Sequence, residues 1–559
     1  MTITPTAAQE RIRDATAPDL LVIAPAGCGK TEALALRIQG LLRRGDVAAP
    51  KKVLVTAFSN RARDNIRERL KAYLPAAVLR DRVSVANFHG VAARLIRAHG
   101  NVIGIAEDIE FPENDWVGQR CRELNFDFNT SAEVQRTLRV AKQDGRTDAE
   151  VIDYLEAPGR EAALRIEQER VAAGRLTYDD LPRLAELILA NEQVASLYNA
   201  HFGAVVVDEF QDLTPQQLRI VNVIGRGRTT FAGDLAQGIY GFAGASPNEV
   251  SQAVRDECSE VVEFSESHRS SPAVLAMVNS LSRLTGGTSL TSASPASWPG
   301  GGMKSWVRHD TAAGEAEWAA RLAVTLIEHA PNHRVGIVAR TGPRRRFVDA
   351  ALAGATVEVY RWDDAVLDTD TANLLKSLLR QLNVPEMLAA ADPLTYLRDV
   401  ADFSSVAENK NELREALDWC HDLLVSGETA ASVRGRIRVG TGTTLITEPG
   451  IHLLTGHTGK GQQFDWVIVV GAEDGTMPDF RATTPESIAE EARVLSVMLS
   501  RARHGVVLSY ALTVPDRSGT PRRKSPTRFL TEIGTASPMD DAEMRGWLNA
   551  SDWDALTAR

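Results

Sequence analysis

Hydrophobic positions along this chain fall in short continuous runs separated by stretches of helical spacing. The first run, LLVIA at 20–24, is followed by the loop PAGCGKT and then by EALALRIQGLL, whose apolar residues recur at helical intervals. That is strand, loop and helix. The same order recurs in KVLVTAFSN with RARDNIRERL and in AVVVDEFQD with PQQLRIVNVI, while RTTFAGD reads as a further buried strand. Unbroken apolar strands alternating with helices predict a parallel sheet covered on both faces.

The strand signals stop between 99 and 174, where SAEVQRTLRVAKQ and REAALRIEQERVAAG have the spacing of polar amphipathic helices. From Pro299 the chain is α/β again, with SWVRH, a helix through 316–328, RVGIVAR, a helix after Pro343 and TVEVY. A second helical excursion covers 366–439, after which IHLLT, DWVIVVG and GVVLSYA resume the strand pattern. The expected organisation is therefore a first α/β domain in two parts, 1–98 and 175–266, around a helical insertion at 99–174. A second α/β domain, 267–365 and 440–535, surrounds a short insertion at 366–439, and 536–559 form a helical tail. No fixed short repeat and no long low-complexity tract interrupts this plan.

Length and composition agree with several packed cores: 559 residues, 44% apolar and 24% charged, far from the balance of a disordered chain. The net charge of −10 argues against an overall basic coat for nucleic acid. Two local tracts run the other way. Residues 51–71 carry Lys51, Lys52, Arg61, Arg63, Arg67, Arg69 and Lys71 against Asp64 and Glu68; residues 517–528 carry Arg517, Arg522, Arg523, Lys524 and Arg528 without an acid. On charge alone both read as solvated surface. Cys28, Cys121, Cys258 and Cys420 are scattered without a CxxC pair, which speaks against a zinc ribbon, a cluster or a disulfide framework. No apolar run reaches the ~18 residues of a membrane helix and no signal-peptide order opens the chain, so a cytoplasmic protein without membrane contact is expected.

The chemistry concentrates in two places. APAGCGKT at 24–31 sets a Gly-rich loop between a buried strand and a helix, where backbone N–H groups of Ala26, Gly27, Cys28 and Gly29 and the helix N-terminus can cradle phosphates. Lys30 would pair with the β- and γ-phosphates and Thr31 would hold Mg²⁺. Cys28 reads as a small residue tolerated in that loop. VVVDEFQD at 205–212 ends a strand in two acids, Asp208 suited to Mg²⁺ and Glu209 to polarising an attacking water. Together these are the two halves of a nucleotide-hydrolysing site.

Taken with TAFSNRARDNIRERL, NFHGVAARLIRAHG, FAGDLAQGIYGFAGA, ESHRSSPAVL, LLTGHTGKGQQFDWVIVVGAEDGTMPD and EEARVLSVMLSRARHGVVLSY, these segments resemble, in order, the motifs of UvrD/PcrA/Rep-like superfamily 1 helicases from about residue 9 to about residue 530. The resemblance implies two RecA-like P-loop motor domains, each with a helical insertion, using ATP and Mg²⁺ to move 3′→5′ on single-stranded or partly duplex DNA. It implies that Gln9 reads adenine, that Gln237 senses the γ-phosphate, and that Arg269 and Arg501 reach that phosphate as always-charged planar forks. It further implies base stacking by Tyr240 and Phe242, and single-strand contacts from Phe58, Asn60 and His89 in the first domain and His457 and Lys460 in the second.

The sequence departs from the family at several positions. His268 stands where a nucleotide-stacking Tyr is usual, Phe242 where Trp is usual, and Gln462-Gln463 replace a Leu-Glu whose acid contacts ribose, which leaves Gln463 as the ribose candidate. The second insertion is short. A compact chain of this kind also resembles the helicase subunits of two-gene antiphage systems of the Gabija type, which would give it a nuclease subunit as partner. Two rivals to a helicase follow: a DNA-activated nucleotide hydrolase or motor subunit that unwinds little, and a non-catalytic DNA-binding scaffold.

Overall fold

A computed structural model describes residues 5–57, 60–106, 108–112, 116–241, 244–361, 366–367, 369–400, 416–417, 420–421, 423–425, 427–439, 447–457, 459–516 and 519–558. The chain divides into two compact units. The first comprises 1–295 with 484–496, and the second 296–483 with 497–559.

In the first unit the strands are Leu20–Ile23 (β1), Lys52–Ala57 (β2), Val83–Asn87 (β3), Phe202–Asp208 (β4), Thr229–Gly233 (β5) and Glu260–Glu263 (β6), with a short pair, Glu266–Ser267 (β7) and Thr291–Ser292 (β8). The six form one parallel sheet in the order β3-β2-β4-β5-β1-β6. Its strands read as unbroken apolar runs because both faces are covered. Leu20, Val22, Val53, Val55 and Val206 pack with the helix Lys30–Arg44 on one face, while Leu21, Ile23, Leu54, Val205 and Val207 pack with the helices Phe88–His99 and Asp180–Leu189 on the other. The register sets Ile23 beside Gly233 and Asp208 beside Ala232, so the C-terminal ends of β1, β4 and β5 meet along one edge.

Helices Trp116–Glu123, Phe128–Ala141, Asp148–Leu155 and Glu161–Ala172 make up the expected first insertion around their own small core of Val134, Leu138, Val151 and Ile166. A buried ionic cluster fastens it to the sheet's helical layer. Lys142 reaches Glu167 at 2.8 Å and Asp180 at 3.0 Å, and Arg183 bridges Asp180 at 2.7 Å and Asp148 at 2.6 Å.

The second unit contains Met303–Thr311 (β9), Arg334–Ala339 (β10), Val359–Arg361 (β11), Val366–Leu367 (β12), Arg438–Val439 (β13), Gly450–Thr455 (β14), Phe464–Val470 (β15), Ala502–Pro515 (β16) and Pro521–Arg523 (β17). β11, β14, β10, β15 and β16 are parallel neighbours in that order. β9 pairs parallel with β16, and β17 folds back antiparallel on the end of β16. The strand expected over TVEVY is confined to Val359–Arg361. β12 and β13 pair with each other and bracket the helices Thr369–Gln381, Val384–Ala389, Pro393–Val400 and Ala430–Arg436.

The contacts place 267–295 in the first unit, whereas the sequence pattern assigned 267 onward to the second domain. The reason is local: Leu275 and Leu290 are buried in the first unit's core, and His268 bonds the phosphate loop. The tail is an integral part of the second unit, since Met544, Leu548 and Leu556 enter its core beside Trp466. None of the four cysteines is in a disulfide, and all four are buried. Among the described residues no helix is long and apolar enough to cross a membrane.

Candidate nucleotide site and nucleic-acid contacts

The loop after β1 is held by the N–H of Ala24, which donates to Gly233 at 2.9 Å, and turns through Gly27 and Gly29, both in left-handed backbone. Side chains have no room at either glycine. A Cβ at 27 would lie 2.6 Å from the Cβ of Arg269, and one at 29 would lie 2.7 Å from Nε2 of Gln9. The first helical turn after the loop then carries Lys30 and Thr31. Cys28 is fully buried, and burial pushes its thiol up to about 12, so it acts as a small apolar spacer.

Lys30 meets both acids at the end of β4. Its Nζ lies 2.7 Å from Asp208 Oδ1 and 2.6 Å from Glu209 Oε1. Glu209 takes left-handed backbone, φ 58°, which turns the chain sharply as β4 ends and leaves both carboxylates on the ammonium. Burial works against the Lys30 charge, yet the two carboxylates outweigh it and hold its pKa above the usual lysine range. Asp208 is held above the usual carboxylate range by burial, which Lys30 only partly offsets.

Gln211, which sequence reading passed over, connects the ends of two strands. Its Nε2 donates to Glu209 Oε2 at 2.6 Å, and its Oε1 accepts the N–H of Asp234 at 3.0 Å. Asp234 in turn accepts from the N–H of Ala236 and from Nε2 of Gln237, both at 3.0 Å. Burial raises the Asp234 pKa. A chain of hydrogen bonds thus runs from Glu209 to Gln237. Two adjacent polar residues in the run EFQD were the available signal for Gln211.

Gln9, which would pass for a surface residue on sequence pattern alone, is buried. Its side chain and Thr6 cap the first helix reciprocally, and its Nε2 reaches the carbonyl of Gly29 at 3.4 Å. The N–H of His268 donates to Gly27 at 3.0 Å, leaving its ring exposed beside the loop, with Arg269 packed on Gly27. The first unit therefore gathers Gln9, residues 26–31, Asp208, Glu209, Gln237, His268 and Arg269 around one loop.

The second unit holds the other candidates on a connected stretch. His457 and Lys460 lie on the tight loop after β14, where the N–H of Gly456 donates to Ala339 and that of Lys460 to His457. Gln463 precedes β15, whose first N–H, from Phe464, donates to the carbonyl of Arg501 at 3.0 Å. The Arg501 guanidinium is buried, with Nε donating to Val497 and Nη2 to Ser500, both at 2.9 Å.

Of the nucleic-acid candidates, Phe58 and Phe242 lie outside the described residues, as does the side chain of Asn60. Tyr240 is half-buried on a turn closed by the N–H of Gly244 on Gly241. The N–H of Gly241 donates to Oε1 of Glu490 at 3.0 Å, a contact sequence reading did not foresee. His89 stands exposed at the start of its helix with the exposed ring of Tyr178 edge-on at 5.7 Å. The basic tract 51–71 is engaged within its unit: Arg63 with Asp64, Lys71 with Glu68, Arg69 with Glu32, and Arg67 on the carbonyl of Val85.

Comparison with known proteins matches residues 6–257 to the UvrD/REP helicase N-terminal domain and residues 435–513 to the UvrD-like helicase C-terminal domain. The chain is 28% identical to the ATP-dependent DNA helicase UvrD2 of Mycobacterium tuberculosis, over 93% of this chain and 80% of that protein. It is 23% identical to DNA helicase II of Haemophilus influenzae, over 92% of this chain and 84% of the relative. A segment covering 47% of the chain is 30% identical to the ATP-dependent DNA helicase PcrA of Leuconostoc citreum, over 37% of that protein. The N-terminal match spans the phosphate loop, the Asp208–Glu209 strand end and the Gln237 turn, and the C-terminal match takes in the stretch from His457 to Arg501. With its two parallel-sheet units, the chain belongs to the UvrD-like superfamily 1 helicases.

Proposed function

We propose that the chain is an ATP-driven motor that binds single-stranded or partly duplex DNA, moves 3′→5′ and separates strands in the cytoplasm. One observation carries this reading: a lysine on a phosphate loop is clamped by two strand-end carboxylates at 2.7 and 2.6 Å. These are the parts that nucleotide hydrolysis requires, already assembled.

ATP entering the loop exchanges partners with Lys30, whose ammonium leaves the carboxylates for the β- and γ-phosphate oxygens. Glu209 is then free to take a proton from the attacking water, held in place by Gln211. The Thr31 hydroxyl and the buried Asp208 carboxylate are hard oxygen donors that fit Mg²⁺, and burial leaves Asp208 in want of a cation. When bound there, the ion would neutralise charge on the phosphates. Gln237, positioned by its bond to Asp234, senses the γ-phosphate with its amide, and Arg269 and Arg501 stabilise charge as it develops, a role typically worth ~10³ to 10⁵ in rate. Gln9 reads the base against the loop, His268 stacks on it and Gln463 faces the ribose. Tyr240 and Phe242 stack on bases, and Phe58, Asn60, His89, His457 and Lys460 track the strand without reading sequence.

The test is steady-state ATP hydrolysis with and without single-stranded DNA, alongside Lys30→Ala and Glu209→Gln. A large DNA-dependent increase that both substitutions abolish is expected; no hydrolysis under any DNA condition overturns the motor. A second reading, a DNA-activated hydrolase or motor subunit serving a nuclease, is favoured by the shortness of the second helical excursion, 366–439, and by Gln463 in place of an acid. Hydrolysis and translocation without displacement of a forked duplex strand would select it.

A further inference from the structure

The first unit has a second concavity, at the opposite end of its sheet. A cavity of about 390 Å³ opens where β2 and β4 begin, between the helices Phe88–His99 and Glu192–His201. Lys52, Arg94, His99 and His201 line it together with the rings of Tyr198 and Phe202, and none of the described residues lining it is a carboxylate. β4 runs from Phe202 at this cavity to Asp208 at the nucleotide site, and six extended residues put roughly 20 Å between them. The cavity therefore takes no part in the chemistry at Lys30.

Its character is specific. The rings pack into a joint floor: Tyr198 and Phe202 are 6.2 Å apart, with His99 edge-on to Tyr198 at 5.8 Å and His201 edge-on to Phe202 at 4.6 Å. Arg94 bonds neutral acceptors, the carbonyl of Gly90 at 3.2 Å and the hydroxyl of Ser84 at 3.4 Å. The acid that Lys52 influences, Asp81, is bonded by Arg80 at 2.9 Å. At the rim Leu197 stands 54% exposed. In a chain of net charge −10 this is an aromatic floor flanked by two cations, Lys52 and Arg94.

We infer that this pocket docks an acidic segment of a partner protein that inserts an apolar side chain. The cations match the segment's carboxylates, the aromatic floor takes its anchor, and the volume lies in the range of sites that enclose one such group, about 300 to 1,000 Å³. Leu197, exposed at the rim, offers a segment longer than the cavity a further apolar contact that a small molecule enclosed within it would not cover.

The full chain would be titrated into a fluorescein-labelled peptide, Glu-Asp-Asp-Phe-Asp-Asp-Leu, and binding read by anisotropy. Saturable binding is expected, weakened about tenfold or more by Arg94→Glu and by Lys52→Glu. Leu197→Asp, at an exposed position that threatens no core, should weaken it too, with circular dichroism and ATP hydrolysis unchanged. A control peptide with Ser for Phe and Leu should bind poorly. No saturable binding, equal binding of the Ser peptide, or indifference to all three substitutions overturns the proposal. So does saturation by 3-phenylpropionate without peptide binding, which would mark a small-molecule site. Displacement of the peptide by single-stranded DNA in an Arg94-dependent manner would mark a nucleic-acid contact and overturn it as well.

Discussion

Gln211 donates from Nε2 to the Glu209 carboxylate at 2.6 Å while its Oε1 accepts the N–H of Asp234 at 3.0 Å. One side chain thus fixes the proposed general base and ties it to the strand end that carries Gln237. Gln211→Leu keeps the volume and removes both bonds. Outer-shell losses of this kind cost about 10- to 100-fold in activity, so kcat for ATP should fall by that order with KM little changed. Gln211→Glu should be worse, since it sets a second acid against Glu209. Steady-state kinetics and the affinity of a fluorescent ATP analogue separate the two effects.

The turn that carries Tyr240 is held from outside by Glu490. Gly241 donates its N–H to that carboxylate at 3.0 Å, and a Cβ at 241 would lie 2.7 Å from both of its oxygens. Glu490 belongs to the helix Pro485–Leu499, which leads directly to Ser500 and Arg501; Arg493 of the same helix bonds Asn248 and the carbonyl of Thr285. Hydrogen bonds to charged groups contribute ~1.5 to 3 kcal/mol. Glu490→Ala should therefore raise the DNA concentration for half-maximal ATPase about tenfold, with DNA-free hydrolysis retained and Glu490→Gln nearly normal. Equal loss of basal and stimulated rates would assign Glu490 to the nucleotide site instead.

Acid should loosen the two units at different points. In the second, burial holds the His333 pKa below its ordinary value, with Asp465 only partly opposing. The folded state then prefers the neutral ring, and its contribution is lost as pH falls below the unfolded histidine value of about 6.5. In the first, burial opposes the Asp180 charge, but Lys142, Arg170 and Arg183 outweigh it and hold the carboxyl far below its ordinary range. That contribution is present above about pH 4 and lost as pH drops through and below it. Hydrogen exchange, corrected for intrinsic rates, should show protection around His333 lost at a higher pH than protection around Asp180. Lys142→Met should cost the first unit about 3 to 5 kcal/mol by leaving buried acids short of a partner.

The tail is a wedge in the second unit. The rings of Trp553 and His329 stack at 4.7 Å, Trp466 contacts Trp547 and Trp553 at 5.9 and 5.8 Å, and Met539 hydrogen-bonds both Lys304 and Ser305. Leu556 is fully buried. Leu556→Ala should cost about 2 to 5 kcal/mol, seen in calorimetry as a lower melting temperature for the second unit alone.

Much of this was legible in the sequence because the informative positions are local. LLVIA before a Gly-rich loop, and AVVVDE before a helix, are each a strand feeding a functional end, and the sheet register brings those ends together without further information. What escaped depends on contacts distant in sequence. Gln9 is buried with its amide on Gly29, 20 residues away, and the segment after 267 joins the first unit where His268 bonds Gly27 and Leu275 and Leu290 enter its core. Glu490 meets Gly241 across 249 residues, which no spacing rule reports. The basic run at 51–71 read as a charged face, and its ion pairs with Asp64, Glu68 and Glu32 all lie within the first unit.

The two-residue strands β12 and β13 pair in parallel, Val366 with Arg438 and Leu367 with Val439. The points where the chain leaves for the second helical excursion and returns from it are therefore one strand spacing apart, about 4.8 Å. A segment that starts and finishes at one narrow doorway behaves as a cassette. It can be lengthened, trimmed or exchanged between related motors without shifting the register of the sheet behind it, so the excursion can diverge in size and duty while the engine stays the same.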